Sequence, residues 1–301
     1  METLKLCQPY APTLLRAGLL LTLAILGTVS GAARDRKIVL IAGPKSHGPG
    51  AHEYAKSIKL IKVMLDRSPD VRGIRTELVF NGWPEDPAVL NHADTVVVLS
   101  DGPDGINFKA PLPFLATPER VKTMDRLMAR GCGFMTFHFS TFTPNAYADR
   151  ILEWVGGYFD WQAPPGQRWY SAIKIAESDM ILGTPHHPVS RGVKPFRYKD
   201  EFYYHLRFRQ NDPRLRPILL ASALGGTRLE QTVAWAVERV DGGRGFGTST
   251  GHFFADWKND DYRKLILNAI VWTSGAEVPK DGVISSYVDE QEVNRALAHQ
   301  N

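Results

Sequence analysis

The chain has 301 residues and a net charge of +4, and 44% of its residues are hydrophobic and 23% charged. This composition is typical of a globular protein, and it excludes a disordered chain, a collagen, a coiled coil and a polytopic membrane protein. No window holds a cluster of five or more lysines and arginines, so we expect no nucleic-acid partner.

The first 33 residues have the three-part pattern of a secretory signal. Lys5 and Arg16 precede an apolar run at 17–29, and small residues follow at 30–33. The run is shorter than the roughly 20 residues that cross a bilayer, which favours cleavage. We therefore predict a signal peptide at 1–33, an exported protein that is periplasmic or secreted, and no membrane association after cleavage. A retained anchor is the alternative.

Cysteine usage indicates a fold that is stabilised by its core alone. Cys7 would leave with the signal peptide, and the remaining Cys132 has no partner for an intramolecular disulfide. Cys132 stands between two glycines at the start of a predicted strand, and we predict a small buried core residue there.

The first half of the remaining chain alternates short apolar runs with helical patterns. Strands are predicted at 36–43, 76–80, 95–99 and 133–137; helices are predicted from Tyr54 onward and at 118–130, where Thr117 is the N-cap. Alternation with short connections predicts an α/β fold with a doubly wound, mostly parallel sheet and helices on both faces, which makes three layers.

The second half is less regular. Strands are predicted at 173–176, 217–221, 232–238 and 245–249, followed by a helix at 260–273. Residues 156–171 combine aromatic side chains with glycines and prolines, which indicates a packed loop or cap. The polar tail carries a short helical pattern at 289–298, and it is compatible with a homo-oligomer.

Candidate functional residues follow several predicted strands. Because ligands of open α/β sheets bind beyond the carboxyl ends of the strands, we expect them to share one edge. They are His47, His52 and Glu53 after the first strand, Asp101 after the third, His138 after the fourth and His252 after 245–249. Imidazoles and carboxylates together can serve as general acids and bases near neutral pH, or can bind a divalent metal.

Two motifs in the middle of the chain extend this set. His187 precedes a proline, and the segment 200–204 contains Glu201, Tyr203 and Tyr204. The aromatic run predicts a substrate wall, and a solvated charge pair is the alternative for Asp200 and Glu201. For the histidines, the alternative is a structural role, such as a satisfied core residue at His138 or a helix cap at His252.

Seven motifs in a fixed order resemble the trehalose-utilisation, ThuA-like family, particularly a secreted planctomycete-type branch. They are S-H-G-P-G-A-H-E-Y at 46–54, G-C-G-F-M-T-F-H at 131–138, H-P-V-S-R-G-V at 187–193, D-E-F-Y-Y at 200–204, V-A-W-A-V-E-R at 233–239, G-R-G-F-G-T-S-T-G-H-F at 243–253 and L-N-A-I-V-W at 267–272. The resemblance implies a ThuA-like domain at 34–280 and a C-terminal tail at 281–301.

The resemblance also implies a flavodoxin-like fold similar to class I glutamine amidotransferases. In that fold the nucleophilic cysteine occupies the turn after a central strand. Here the matching turn carries His138, and Cys132 lies at the start of that strand. A glutaminase is therefore not expected, because the thiolate is absent from its place.

The family name refers to the use of trehalose and related disaccharides that are first oxidised to 3-keto-glycosides. We accordingly predict a carbohydrate-active isomerase, lyase or hydrolase for oxidised disaccharides, with a small-molecule carbohydrate as its partner and a divalent metal as a compatible cofactor. The predicted catalytic residues are His138, His187, Glu201 and His252; the predicted pocket residues are His47, His52, Glu53, Asp101, Tyr203, Tyr204 and Trp169. A non-catalytic sugar-binding protein and a metal-dependent hydrolase of amide or ester bonds are the alternatives.

Overall fold

The structure is a computed structural model, and it describes residues 35–103, 114–163, 165–167, 169–222, 224–226 and 228–299. The predicted signal peptide at 1–33 lies outside these residues. Within the described ranges, no helix has the length and apolar character that crossing a bilayer requires.

Eleven strands and five α-helices are described. The strands are β1 (Arg36–Ala42), β2 (Ile74–Val79), β3 (Thr95–Leu99), β4 (Gly133–Phe137), β5 (Gly157–Tyr158), β6 (Ala172–Leu182), β7 (Phe196–Tyr204), β8 (Arg207–Phe208), β9 (Leu215–Ala221), β10 (Gln231–Glu238) and β11 (Arg244–Thr248). The helices are α1 (Tyr54–Arg67), α2 (Pro118–Ala129), α3 (Ala148–Trp154), α4 (Asp260–Thr273) and α5 (Glu290–Ala298).

Nine strands form the central sheet in the order β2-β1-β3-β4-β11-β10-β9-β6-β7, and β5 pairs with β8 in a small separate sheet. The first five strands of this order are parallel. With β11 in fifth place, they reproduce the 2-1-3-4-5 order of flavodoxin-like doubly wound sheets. The remaining pairings are antiparallel. The predicted α/β class with a mostly parallel sheet is confirmed.

Side chains of the parallel strands alternate between two cores. On β1, Ile38 and Leu40 pack with α1, α4 and α5 on one face, whereas Val39 and Ile41 pack with α2 and α3 on the other. Because both faces are covered, these strands are apolar almost throughout, which explains why their sequence predicts them well. The helices on both faces make the predicted three layers.

The direction of each strand decides which loops reach which edge of the sheet. From β11 outward the pairings are all antiparallel, so β10 and β6 run opposite to β11, and β9 and β7 run along with it. The carboxyl end of β7 therefore reaches the same edge as those of β1, β3, β4 and β11. The loop after β6 reaches the opposite edge.

Several element boundaries agree with the predicted ones. Helix α4 spans 260–273 as predicted, and Thr117 caps α2 by accepting a hydrogen bond from the backbone N–H of Arg120. Strand β6 is longer than the predicted 173–176 segment, and the sequence reading contains neither α3 nor β7. In the predicted loop at 156–171, the structure contains the short strand β5 and the fully buried side chain of Phe159.

Replacing Gly133 by alanine tests how closely β4 packs against the end of α4. A Cβ at this position would overlap the backbone carbonyl of Thr273. Because a backbone atom cannot move aside cheaply, we expect Gly133→Ala to lower the free energy of unfolding by about 1–3 kcal/mol in urea titrations. The matched control is Gly48→Ala, since nothing lies within 4 Å of its Cβ position. Equal stability of the two variants would contradict this packing.

Candidate functional site

Three buried histidines from different loops meet at the carboxyl edge of the parallel strands. His52 follows β1, His138 follows β4 and His252 follows β11, and their exposed fractions are 2%, 0% and 8%. Nδ1 of His252 lies 3.0 Å from Nε2 of His52 and 3.2 Å from Nε2 of His138. One ring nitrogen from each histidine lies within 4.8 Å of the other two.

Asp101, which follows β3, orients His52. Its Oδ1 lies 3.2 Å from Nδ1 of His52, and it accepts hydrogen bonds from the hydroxyls of Tyr54 and Ser46 at 2.6 and 2.9 Å. The Tyr54 oxygen also lies 2.7 Å from Nδ1 of His52, so it accepts from this N–H while it donates to Asp101. Burial alone would raise the pKa of Asp101, but the hydrogen bonds from His52, Tyr54 and Ser46 outweigh it and lower the pKa. Asp101 is therefore a carboxylate, and the His52 proton resides on Nδ1, which leaves a lone pair on Nε2.

The backbone carbonyl of Ser249 orients His138 in the same way. Nδ1 of His138 lies 2.8 Å from this oxygen, and a carbonyl can only accept, so the proton of His138 resides on Nδ1. Complete burial lowers the pKa of His138 well below its ordinary value and keeps the ring neutral. The backbone φ is +50° at His138 and +48° at His52. This left-handed conformation is strained for a residue with a Cβ and occurs frequently at functional sites.

Strand β7 contributes Glu201 and Tyr203, which project from the same face of the strand. Oε1 of Glu201 lies 3.4 Å from Nδ1 of His252 and 3.7 Å from Nε2 of His138. The hydroxyl of Tyr203 lies 2.8 Å from Nε2 of His138, and the two rings stack with centroids 4.3 Å apart. The Glu201 side chain is 19% exposed, so it connects the buried histidines with solvent.

Asp200 holds β7 to the turn that carries His252. Its carboxylate accepts hydrogen bonds from the backbone N–H groups of Gly251, His252 and Glu201 at 2.6, 3.1 and 2.8 Å. The residue is fully buried, so the alternative of a solvated charge pair is wrong for it. Burial raises the pKa of Asp200 to about 6, and burial together with the charge of Asp200 also raises the pKa of neighbouring Asp256.

His47 covers the cluster from the solvent side. It is exposed, its ring centroid lies 3.6 Å from that of His52 and 5.8 Å from that of His252, and its Nδ1 lies 2.7 Å from the Ser46 hydroxyl. Partial burial is the main cause of the lowered pKa of His47. The structure thus brings seven predicted residues together: His47, His52, Asp101, His138, Glu201, Tyr203 and His252.

Three residues predicted to line the pocket do not join this cluster. Glu53 accepts a hydrogen bond from the backbone N–H of Gly50 at 2.9 Å and fixes the loop after β1. Tyr204 projects from the face of β7 opposite to Tyr203 and belongs to the core on the side of the sheet that α1 and α4 cover. Trp169 packs against Phe159, with ring centroids 5.6 Å apart.

The prediction that His187 lies with the other catalytic candidates is wrong. The loop after β6 reaches the opposite edge of the sheet, because β6 runs antiparallel to β7 and β9. There Nδ1 of His187 caps a short 3₁₀-helix by accepting from the N–H of Val189 at 3.2 Å, and the ring packs on Trp272 at 4.8 Å. The contacts of His187 are structural.

The sequence reading missed two contributors to the site. The helical spacing predicts only that Tyr54 lies on the apolar face of α1, but its hydroxyl donates to Asp101. Its position directly after a loop rich in polar residues could have indicated a role in the site. Ser249 acts through its backbone carbonyl, which no side-chain pattern can indicate.

The fold and the site define a class: a doubly wound α/β protein with a buried histidine–carboxylate cluster beyond its parallel strands. Within that class, the ThuA family model, described as trehalose utilisation, matches residues 45–273, and the chain belongs to this family. The matched range contains every residue of the cluster. A comparison with curated protein sequences gives no significant match.

Solved structures support the fold. A ThuA-like protein from Parabacteroides merdae is 19% identical with a TM-score of 0.57, and the match covers 85% of this chain and 98% of that chain. A ThuA-like protein from Bacteroides uniformis is 14% identical with a TM-score of 0.57, over 82% and 94% of the two chains. Cytoplasmic protein STM3548 from Salmonella typhimurium is 12% identical with a TM-score of 0.50, over 79% and 98%. None of these matches supports assignment to the planctomycete-type branch.

The structural role of His187 makes a prediction about acid stability. Burial and the charges of Arg216, Arg244 and Arg191 lower the pKa of His187 to about 4. The unfolded chain therefore binds the additional proton as the pH falls below about 6.5, and stability is lost between about 6.5 and 4. His187→Asn keeps an acceptor for the N–H of Val189 but does not titrate. Between pH 7.5 and 5, we expect the wild type to lose about 1–2 kcal/mol more than the variant.

Urea titrations at the two pH values measure this difference. Identical pH dependence of wild type and variant would show that His187 is protonated as easily in the folded protein as in the unfolded chain.

Proposed function

We propose that this protein is an exported carbohydrate-active enzyme that carries out acid–base chemistry on oxidised, 3-keto disaccharides such as trehalose derivatives. The observation that carries the chemistry is the position of Glu201. Its carboxylate is partly exposed and lies within 3.7 Å of two buried histidine nitrogens. Enolisation of a ketone requires a base beside a hydrogen-bond donor for the developing oxyanion, and the Tyr203 hydroxyl is such a donor next to Glu201.

Glu201 is the proposed base. In a 3-keto glycoside the C2 proton is acidic because it is adjacent to the carbonyl. Glu201 takes this proton, the C2–H electron pair forms a C2=C3 double bond, and the carbonyl pair moves onto O3. The resulting enolate either regains a proton, which gives an isomer, or re-forms C3=O while the C2=C3 pair forms a C1=C2 double bond and the C1–O bond breaks. In the second case the leaving alkoxide takes the proton back from Glu201, and no oxidant or reductant is needed.

The family assignment and an aromatic-lined groove support a sugar as the substrate class. The ThuA family is described as acting in trehalose utilisation. A groove of about 460 Å³ is lined by Tyr147, Trp161 and Pro103, and Pro103 is two residues after Asp101 in the chain. Aromatic side chains in such a groove suit the apolar face of a sugar ring. Export follows from the predicted signal peptide, and the proposed partner is a small carbohydrate rather than a nucleic acid.

Proton NMR in D₂O tests the reaction. The full chain is incubated with trehalose and with 3-keto-trehalose, and the C2 proton of the keto ring is followed. We expect exchange of this proton or release of a monosaccharide from the keto sugar only. Glu201→Gln should slow the reaction by about 100-fold or more, because it removes the base without changing the shape of the site.

The control variant is Glu177→Gln, which makes the same replacement at an exposed carboxylate that pairs with Arg197 on the strand surface. It should react at the wild-type rate. An unchanged keto sugar would contradict the proposal. Saturable sugar binding without turnover would then support a sugar-binding protein, and cleavage of acyl substrates would support a hydrolase of amide or ester bonds.

A further inference from the structure

The lone pairs of the three buried histidines point at one another. The Nδ1 protons of His52 and His138 are held by Asp101 and by the Ser249 carbonyl, so both Nε2 atoms are acceptors. Nδ1 of His252 stands 3.0 Å from the first and 3.2 Å from the second. Only His252 can carry a ring proton at this point, and the other donor near Nε2 of His138 is the Tyr203 hydroxyl at 2.8 Å. Three ring nitrogens from three loops therefore converge with at most one ring proton between them.

We propose that His52, His138 and His252 bind one divalent transition-metal ion of the zinc type, through Nε2, Nε2 and Nδ1. A cation satisfies all three lone pairs at once. Ligands of a tetrahedral ion with metal–nitrogen bonds of 2.0–2.1 Å are about 3.3 Å apart, close to the separations observed here. This inference rests on the proposed function, because the positive charge of the ion would stabilise O3 of the enolate. The metal site can nevertheless be absent while the proposed function holds.

The surroundings of the histidines have the features of a metal centre. A carboxylate and a backbone carbonyl hold the two Nδ1–H groups, which is how ligating imidazoles are commonly fixed and made more basic. Tyr203, whose hydroxyl lies near Nε2 of His138, also hydrogen-bonds with Glu201, so it has another partner when a metal takes that nitrogen. Neutral imidazoles are good ligands for zinc, copper, iron and nickel.

Glu201 lies at the open side of this triangle and is left as the base. Its Oε1 is 3.4 Å from Nδ1 of His252 and 3.7 Å from Nε2 of His138, and the side chain is partly exposed, so a substrate oxygen that bound the ion would lie beside this carboxylate. Three protein ligands and one open position are typical of catalytic zinc sites.

A second grouping, His47, His52 and Asp101, competes for the same histidine. It would need Nδ1 of His52 and Oδ1 of Asp101 as ligands. That oxygen already accepts from Tyr54 and Ser46, and Nδ1 of His52 carries the proton that is directed at it. The three-histidine site therefore fits better.

Asparagine substitutions separate the ligand atom from the rest of the side chain. Asparagine places an N–H near the position of Nδ1, so His52→Asn and His138→Asn keep the bonds to Asp101 and Ser249 but lose Nε2. Asparagine also tolerates the left-handed backbone at both positions. His187→Asn is the matched control, because it makes the same replacement at a buried histidine on the opposite edge.

The experiment measures binding of Zn²⁺, and separately of Co²⁺, to the full chain after chelation and dialysis. Wild type, His187→Asn, His47→Asn and Glu201→Gln should each bind one ion per chain, and Co²⁺ should give the visible absorption of a tetrahedral site. His52→Asn and His138→Asn should bind at least about 100-fold more weakly, while circular dichroism shows that they remain folded.

Failure of wild type to bind Zn²⁺ or Co²⁺ would overturn the proposal, and so would undiminished binding by His138→Asn. Loss of binding in His47→Asn but not in His138→Asn would assign the ion to the competing group. Metal binding without keto-sugar turnover would contradict the proposed function and leave the metal site standing. Turnover that survives complete metal removal would show that the ion does not stabilise O3 of the enolate, and it would leave the proposed function standing.

Discussion

The hydrogen bonds at Nδ1 of His52 and His138 are the constraint on which the candidate site depends. Each one places the ring proton on the far side of the imidazole and directs a lone pair at His252. The two partners come from different strands, because Asp101 follows β3 and Ser249 follows β11. The site therefore forms only when β1, β3, β4 and β11 end at the same edge of the sheet. The parallel pairing of these strands is what brings the loops together.

Within the described residues, the candidate site differs from that of a thiol hydrolase. The turn after β4 is occupied by His138, and Cys132, the free cysteine in the described part of the chain, is buried at the other end of that strand. Burial raises the pKa of the Cys132 thiol to about 12, so it carries no thiolate at neutral pH. Cys132 is thus a buried core residue, as its sequence context predicts.

The parallel half of the fold could be predicted from the sequence, and so could β9, β10 and part of β6 as strands, whereas β7 and the antiparallel pairing could not. Strands β1, β3 and β4 are apolar runs buried on both faces, but β7 mixes Arg197, Lys199 and Asp200 with aromatic residues and has no simple pattern. Because successive side chains of a strand point to opposite faces, Tyr203 faces the site and Tyr204 faces away from it. His187 was misplaced because strand direction depends on long-range pairing, which local patterns do not contain. The clustering of the other histidines could be predicted, because residues that follow parallel strands meet at the carboxyl edge of the sheet.

The most direct test of the account is a crystal structure of the zinc-soaked protein with anomalous data collected above and below the zinc absorption edge. The account predicts one strong difference peak about 2 Å from Nε2 of His52, Nε2 of His138 and Nδ1 of His252, with the two Nδ1 atoms still bonded to Asp101 and Ser249. A map without a peak between these rings, or histidines too far apart to share an ion, would contradict it.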